Sequence, residues 1–173
     1  MTATKLGQQQ QTDMSLKRKL IYDPCNFSYT EPVLDLESKK YGASRFKVND
    51  FSIVFRIAKT TPKKLGQFVT LWKRHDNKPI QPFDLSDTFD FVVVCARNDS
   101  HFGQFVFSKS VLLEKGILSV NEEGGKLAFR IYPPWDSPLN KQALKSQKWQ
   151  IEYFLNAPLD RGIDLLRAQK LYS

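Results

Sequence analysis

The most concentrated chemistry in the sequence is a run of cations in KTTPKKLGQFVTLWKR, residues 59–74. Its basic side chains are Lys59, Lys63, Lys64, Lys73 and Arg74. No aspartate or glutamate lies among them. Cations without balancing carboxylates suit the phosphates of a nucleic-acid backbone. An acidic protein partner, or simple solvation, would use the same charge, so these two alternatives stay open.

A second group of reactive side chains alternates along VLDLESK, residues 33–39. On a strand, Asp35, Glu37 and Lys39 would share one face, because successive side chains point to opposite faces. Metal-dependent nucleases use such sets: the carboxylates hold the cation, and the lysine polarises the phosphate or the attacking water. A solvent-exposed edge strand of mixed charge gives the same pattern. The set therefore defines an alternative function, a metal-dependent nuclease.

A third group combines a cation with aromatic rings. The segment FRIYPPWD, residues 129–136, places Arg130, Tyr132 and Trp135 around the rigid corner Pro133-Pro134. Such a corner fixes the angle at which the tryptophan is held. The segment is also the connection expected between a strand and the helix that follows it, so a purely structural role remains the alternative.

The helix predicted over residues 139–155 extends this third group. Its predicted core face consists of Leu144, Ile151, Phe154 and Leu155. Its opposite side carries Gln142, Ser146, Trp149 and Tyr153, with Lys145 beside them. Aromatic rings next to amides and a lysine can stack on bases or sugars and hydrogen-bond to them. Alternatively, the last helix of the chain covers these rings.

The sequence lacks the residue sets that several other functions require. The two histidines, His75 and His101, lie in predicted loops and apart from any cysteine cluster, so no zinc ligand set is expected. Phosphate-binding and nucleophile-elbow glycine motifs are absent from the sequence. Cys95 ends the apolar run FVVVC and is expected to be a buried, unreactive thiol. We therefore expect no metal or cofactor and favour a non-enzymatic role.

Composition and charge indicate the cellular compartment and the kind of partner to expect. The net charge is +8, and most of the excess lies in the first half of the chain. Two cysteines without a CxxC motif fit a reducing compartment. No apolar run approaches the length of a membrane span, and the N-terminus has no secretory signal. We expect a soluble cytoplasmic protein with an anionic partner and no membrane association.

The element that should carry the basic run is a helix. Thr61-Pro62 resembles a helix cap followed by a proline at the first helical position. The apolar residues at i, i+3, i+4 and i+7 are Leu65, Phe68, Val69 and Trp72. This spacing predicts an amphipathic helix over residues 62–74, with the four apolar residues buried together and Lys63 and Arg74 turned to solvent.

The remaining elements predict an α+β fold. The predicted strands are 41–48 and 51–59, joined by Asn49-Asp50, then 89–97, 101–108 and 126–132. The other predicted helices are one capped by Asp13 or Ser15, one running from Ser108 to Glu114 and stopped by Gly116, and a last one capped by Asp160. We predict a disordered tail over residues 1–12 and one domain over residues 13–173. It has about five mostly antiparallel strands, as a twisted sheet or open pseudobarrel, with three to four helices.

Six ordered motifs resemble the MepB family of bacterial proteins. They are ESKKYGA (37–43), FRIAKTTPKKLGQFVTLWKR (55–74), IQPF (80–83), FGQFVFSKSVLLEKGILS (102–119), KLAFRIYPPWD (126–136) and QALKSQKWQIEYF (142–154). Ser108 stands where the family is expected to have proline. The resemblance implies a compact α+β domain and brings no enzymatic activity with it. It also suggests a fold-level analogy to the DNA-binding pseudobarrel effector domains of restriction endonucleases.

The leading hypothesis is thus a non-catalytic nucleic-acid-binding protein, with DNA favoured over RNA. The predicted contacts to nucleic acid are Lys59, Lys63, Lys64, Lys73, Arg74, Arg130, Trp135, Gln142, Lys145 and Trp149. The nuclease and a regulatory module for an acidic protein partner are the alternatives.

Overall fold

The computed structural model describes residues 12–37 and 42–173. The predicted tail, apart from Thr12, and Lys39 of the acidic set lie outside the described residues. The strands are β1 (Val33–Leu34), β2 (Ser44–Val48), β3 (Phe51–Ile57), β4 (Lys59–Thr61), β5 (Lys64–Thr70), β6 (Trp72–Lys73), β7 (Gln81–Pro82), β8 (Phe91–Arg97), β9 (Phe102–Ser108), β10 (Ser119–Val120), β11 (Glu123–Gly124), β12 (Ala128–Ile131) and β13 (Phe154–Asn156). The helices are α1 (residues 12–22, π-helical over Arg18–Tyr22), α2 (Lys109–Glu114), α3 (Lys141–Gln150, followed by a 3-10 turn over Ile151–Tyr153) and α4 (Leu165–Leu171).

A six-stranded sheet with the order β1-β2-β3-β8-β9-β13 organises the fold. The apolar run that forms β8 is buried throughout except at Arg97, as expected for a central strand covered on both faces. The predicted hairpin β2–β3 turns at Asn49, which adopts a positive φ of 52°. Strand β3 pairs in parallel with β8, and the other pairs of this sheet are antiparallel. The α+β prediction is confirmed.

The two faces of this sheet carry two separate hydrophobic cores. Val92 and Val94 of β8 point into one core, and Val93 and Cys95 point into the other, because strand side chains alternate. Helices α1 and α4 cover the second core. The first core is closed by α2 and α3 and by a smaller sheet with the order β12-β5-β4. This smaller sheet and α3 carry the candidate site.

The helix predicted over residues 62–74 is wrong: the segment forms strands β5 and β6. Pro62 lies in the turn between β4 and β5, a position that suits its fixed φ as well as a helix start does. Gly66 has a φ of +80°, which interrupts any regular helix. Leu65 and Phe68 are therefore exposed, at 47% and 37%, instead of joining Val69 in the core. Pairing of β5 with strands on both sides outweighs the local helical spacing.

Trp72 also departs from the prediction, because it is half-buried in β6 and is not among the buried core residues. Strand β6 pairs with β7, placing Trp72 opposite Pro82. Strands have a side-chain period of two, so the buried residues of this region are Gln67, Val69 and Leu71.

The helix α3 exists, but its predicted end is wrong and its predicted core face is only partly right. Phe154 and Leu155 are buried as predicted, although they lie in β13. The helix ends at Gln150, and the chain continues into β13, which pairs with β9. Leu144 and Ile151 are exposed at 46% and 37%, whereas Ala143 and Gln150 are buried. A small residue and an amide face inward because α3 packs beside the polar edge of β12. The predicted core face is therefore reversed at these positions.

The shorter helices follow their capping residues. Ser108 Oγ accepts a hydrogen bond from the Val111 amide, and α2 then ends before Gly116, as predicted. The last helix is capped by Asp164, which accepts from the Arg167 amide, and not by Asp160. None of the helices in the described residues is long and apolar enough to cross a membrane.

Candidate nucleic-acid interface

A groove of about 960 Å³ lies between the smaller sheet and α3. One wall is formed by β12 and the β4–β5 turn, and the other by α3 and the end of α2. Its basic lining residues are Lys63, Lys64, Lys115, Lys126, Arg130 and Lys145. No aspartate or glutamate is among the described residues that line it. The groove therefore concentrates positive charge on both of its walls.

The β4–β5 turn brings two lysines to the mouth of the groove. Thr61 is paired with Lys64 across this turn, which leaves Lys63 and Lys64 exposed. No ion pair to another described residue engages either lysine. Both ammonium groups are therefore available to an anion.

Arg130 holds this turn in place. It lies on β12 opposite Phe68 of β5. Its Nη2 donates to Thr61 Oγ1 at 2.7 Å, and its Nη1 donates to the Leu65 and Gly66 carbonyl oxygens at 3.2 and 3.3 Å. These bonds use much of the guanidinium's donor capacity, so Arg130 both braces the wall and contributes charge to it.

Gly66 allows β5 to lie close to the residues that follow β12. A Cβ at this position would fall 2.6 Å from Tyr132 Cε1 and 2.8 Å from the Ile131 carbonyl oxygen. Its φ of +80° also disfavours any side chain. The close approach places Tyr132 beside the turn that carries the two lysines.

Two of the glutamines of α3 hold the helix in place through hydrogen bonds to backbone groups. The Gln150 side chain donates to the Arg130 carbonyl oxygen and accepts from the Tyr132 backbone amide, at the edge of β12. Gln147 Nε2 donates to the Pro133 and Asp136 carbonyl oxygens at 3.0 and 2.8 Å. Gln142 differs, because its side chain is exposed and makes no hydrogen bond to another described residue. Of these three, it is the amide suited to a ligand.

Trp149 belongs to the core and to the groove at once. Its ring packs against Phe107 and Tyr153, with centroid distances of 5.4 and 6.3 Å. The Lys115 Nζ lies 5.5 Å from the Trp149 ring centroid and also pairs with Glu114 at 2.7 Å. The tryptophan is therefore a ring that is held by the core, lines the groove and has a cation close to it.

The structure brings six of the ten residues predicted to contact nucleic acid into this one groove. They are Lys63, Lys64, Arg130, Gln142, Lys145 and Trp149. The sequence analysis missed Lys115 and Lys126. Lys115 lies beside Gly116, and Lys126 lies at the start of the predicted strand over 126–132. Neither lysine draws attention in the sequence, because the charge of the second half of the chain is nearly balanced.

The other four predicted contacts lie outside the groove lining. Lys59 is half-buried on β4. Arg74 pairs with Glu37, with Nε and Oε2 3.1 Å apart. Trp135 stacks on His101 with a centroid distance of 5.0 Å. Lys73 forms an ion pair with Asp87, with Nζ and Oδ1 2.7 Å apart, and its side chain is mostly buried.

The Lys73–Asp87 ion pair belongs to a hydrogen-bond network centred on Asp84. Asp87 Oδ2 accepts from the Asp84 amide at 2.6 Å. The Asp84 carboxylate accepts from the amide of Ser86, the hydroxyl of Ser119 and the amide of Glu122. These hydrogen bonds hold the pKa of Asp84 well below its usual range. They tie the loop after β7 to β10, so Lys73 has a structural role.

The acidic set predicted for a nuclease does not form the expected strand. Strand β1 ends at Leu34, so Asp35 and Glu37 follow it in a non-strand segment. Glu37 is engaged by Arg74. Within the described residues, no group of three or more His, Cys, Asp or Glu side chains could hold a metal ion. Burial raises the pKa of the Cys95 thiol, which leaves it a poor nucleophile.

Comparison with known proteins places the groove within a recognised domain. A family described as MepB-like matches residues 35–156, which include all of the groove lining. A crystal structure of MepB is 36% identical to this chain, with a TM-score of 0.71. The match covers 77% of this chain and 88% of that chain. A search of curated proteins gave no match.

Proposed function

The chain belongs to the MepB-like family, and we propose that it is a non-catalytic protein that binds nucleic acid through the groove between the β4–β5 turn, β12 and α3. The observation that carries this proposal is the lining of the groove, which includes six lysines or arginines and no described acidic residue. Opposed walls of one charge focus the electrostatic potential between them and attract a polyanion.

The placement of the charges supports contact with a phosphate backbone. Lys63 and Lys64 stand on one wall and Lys145 on the other, so phosphates in the groove would meet ammonium groups on both sides. Lys63, Lys64 and Lys145 are exposed and have no ion pair to another described residue. Binding by such residues releases condensed counterions and therefore weakens steeply as salt is added.

The rigidity of the walls supports the same proposal. Arg130 fixes the β4–β5 turn through three hydrogen bonds, and Gln150 fixes α3 to β12 through two. A pre-formed groove loses little conformational entropy when it binds. The backbone of both walls is thus fixed before a ligand binds.

Fluorescence anisotropy with labelled DNA and RNA, single-stranded and duplex, tests the proposal over a series of salt concentrations. We expect binding near physiological salt that weakens linearly on a log–log scale, with DNA preferred. Unlabelled polyglutamate serves as the matched polyanion without phosphate or bases. Absence of binding to every nucleic acid would contradict the proposal, and competition by polyglutamate as effective as that by DNA would point to an acidic protein partner.

A further inference from the structure

We infer that the preferred ligand of the groove is a single strand of nucleic acid whose bases pack against aromatic rings inside the groove. This inference rests on the proposed function and adds the substrate class. Its basis is that the cations share the groove with Phe129, Tyr132 and Trp149, all of them half-buried. A surface that only neutralised phosphates would need no such rings.

The rings are supported from behind by the first core. Phe129 and Trp149 both pack against Phe107, with centroid distances of 6.3 and 5.4 Å. Tyr132 packs closely against Gly66. Rings held in this way lose little freedom when a base packs on them, so they form a fixed platform and not a set of mobile side chains.

Such a platform discriminates between single strands and duplexes. In a duplex, the faces of the bases are covered by their neighbours, and the phosphates point outward. In a single strand, the base faces are free to stack on aromatic side chains while the backbone follows a basic groove. Only the single strand can use the lysines and the rings together.

The remaining polar side chains of α3 lie beside the platform. Gln142 and Ser146 line the same wall, one turn apart, and the small, buried Ala143 lies between them in sequence. An exposed amide and a hydroxyl can hydrogen-bond to base edges. Because stacking accepts every base, we expect only a modest sequence preference.

The test compares three oligonucleotides of equal length: a DNA single strand, its duplex, and an abasic single strand that keeps the phosphates without bases. The inference predicts that the base-bearing single strand binds most tightly. Trp149→Leu keeps an apolar side chain in the core and removes the ring. It should weaken binding of that strand by about 5- to 150-fold, the range for loss of one base–aromatic stack, and leave abasic binding unchanged.

Trp72→Leu is the matched control, because this half-buried tryptophan lies outside the groove lining. Melting curves establish that each variant is folded. If Trp149→Leu does not fold, the tryptophan fluorescence of the wild-type protein tests the inference instead. The base-bearing strand should quench this fluorescence, and the abasic strand should not. Duplex or abasic DNA binding as tightly as the single strand would overturn this inference alone. Binding to none of the three would overturn the proposed function as well.

Discussion

The side-chain amide of Gln150 is hydrogen-bonded to the backbone of Arg130, with Nε2 donating to the carbonyl oxygen at 2.9 Å. The Oε1 of the same amide accepts from the Tyr132 backbone amide at 2.8 Å. Strand β12 is the edge of its sheet, so no strand of the described part of the chain lies beside these two backbone groups. Gln150 takes the place of such a strand and joins the two walls of the groove.

Gln150→Leu should therefore destabilise the protein. The substitution leaves the Arg130 carbonyl and the Tyr132 amide without their partner. Each group that stays buried and unpaired should lower the free energy of unfolding by about 1–3 kcal/mol. Urea unfolding measures the loss. Gln142→Leu, at an exposed position on the same helix, is the control and should change stability little. Equal stability of the two variants would show that the Gln150 bonds do not hold the walls together.

Gly66→Ala should cost more than about 1 kcal/mol, because the residue has a positive φ and the added Cβ would collide with Tyr132 and the Ile131 carbonyl oxygen. Gly162→Ala offers a matched comparison, since its Cβ would meet nothing within 4 Å. Thermal melts of the two variants measure the difference. A Gly66→Ala protein as stable as Gly162→Ala would mean that β5 and Tyr132 are further apart than described.

Asp84→Asn should lower stability at neutral pH and have a smaller effect in acid. The hydrogen bonds from Ser86, Ser119 and Glu122 lower the pKa of Asp84, so the folded protein releases its proton more readily than the unfolded chain. The resulting stabilisation is fully present above the unfolded-state pKa of about 3.9 and is lost as the pH falls through the folded pKa. Urea unfolding from pH 7 downward measures it, and a constant difference between the two proteins would contradict the assignment.

Lys17→Met should raise stability at neutral pH by roughly 1 kcal/mol or more. Lys17 is 1% exposed, and its Nζ has no hydrogen-bond partner within residues 12–37 and 42–173. The Nζ lies 4.0 Å from the Phe46 ring centroid and 3.7 Å from that of Phe55. Burial lowers the pKa of Lys17 well below its usual range. Removal of the ammonium from water is the largest cause of this lowered pKa, and we expect its cost to exceed the stabilisation from the ring contacts.

The pH dependence of this gain has a defined sign. Between the lowered folded pKa and the ordinary value of about 10.4, the unfolded chain binds more protons than the folded protein. Wild-type stability therefore rises with pH in this window relative to Lys17→Met, and the advantage of the variant shrinks. Guanidinium unfolding at several pH values checks this, and a variant less stable than wild type at pH 7 would show that the ring contacts dominate.

The sequence predicted the elements whose signals are local. The apolar run of β8, the turn at Asn49 and the cap at Ser108 depend on neighbouring residues, and each element formed as expected. The segment over residues 62–74 failed because its apolar residues fit a helical period and its strand partners lie far away in the chain. Ile131 pairs with Gln67 of β5, and no local pattern contains that pairing.

The candidate site was partly predictable for the same reason. Residue type alone identified Lys63, Lys145 and Trp149, which the groove then unites. The commitment of Gln150 to a strand edge, and of Lys73 to Asp87, depends on tertiary contacts that residue type does not reveal. The basic face predicted on a helix is instead a groove between a sheet and another helix.

The most direct test of the central claim is the salt dependence of single-stranded DNA binding by a triple variant, Lys63→Ala, Lys64→Ala and Lys145→Ala. A matched variant removes the same charge from exposed positions outside the groove: Lys47→Ala, Lys78→Ala and Lys170→Ala. If the three groove lysines contact phosphate, the groove variant should bind more weakly, and its log–log salt slope should fall by about 2. The matched variant should keep the wild-type slope. Equal slopes and affinities for the two variants would contradict binding in the groove.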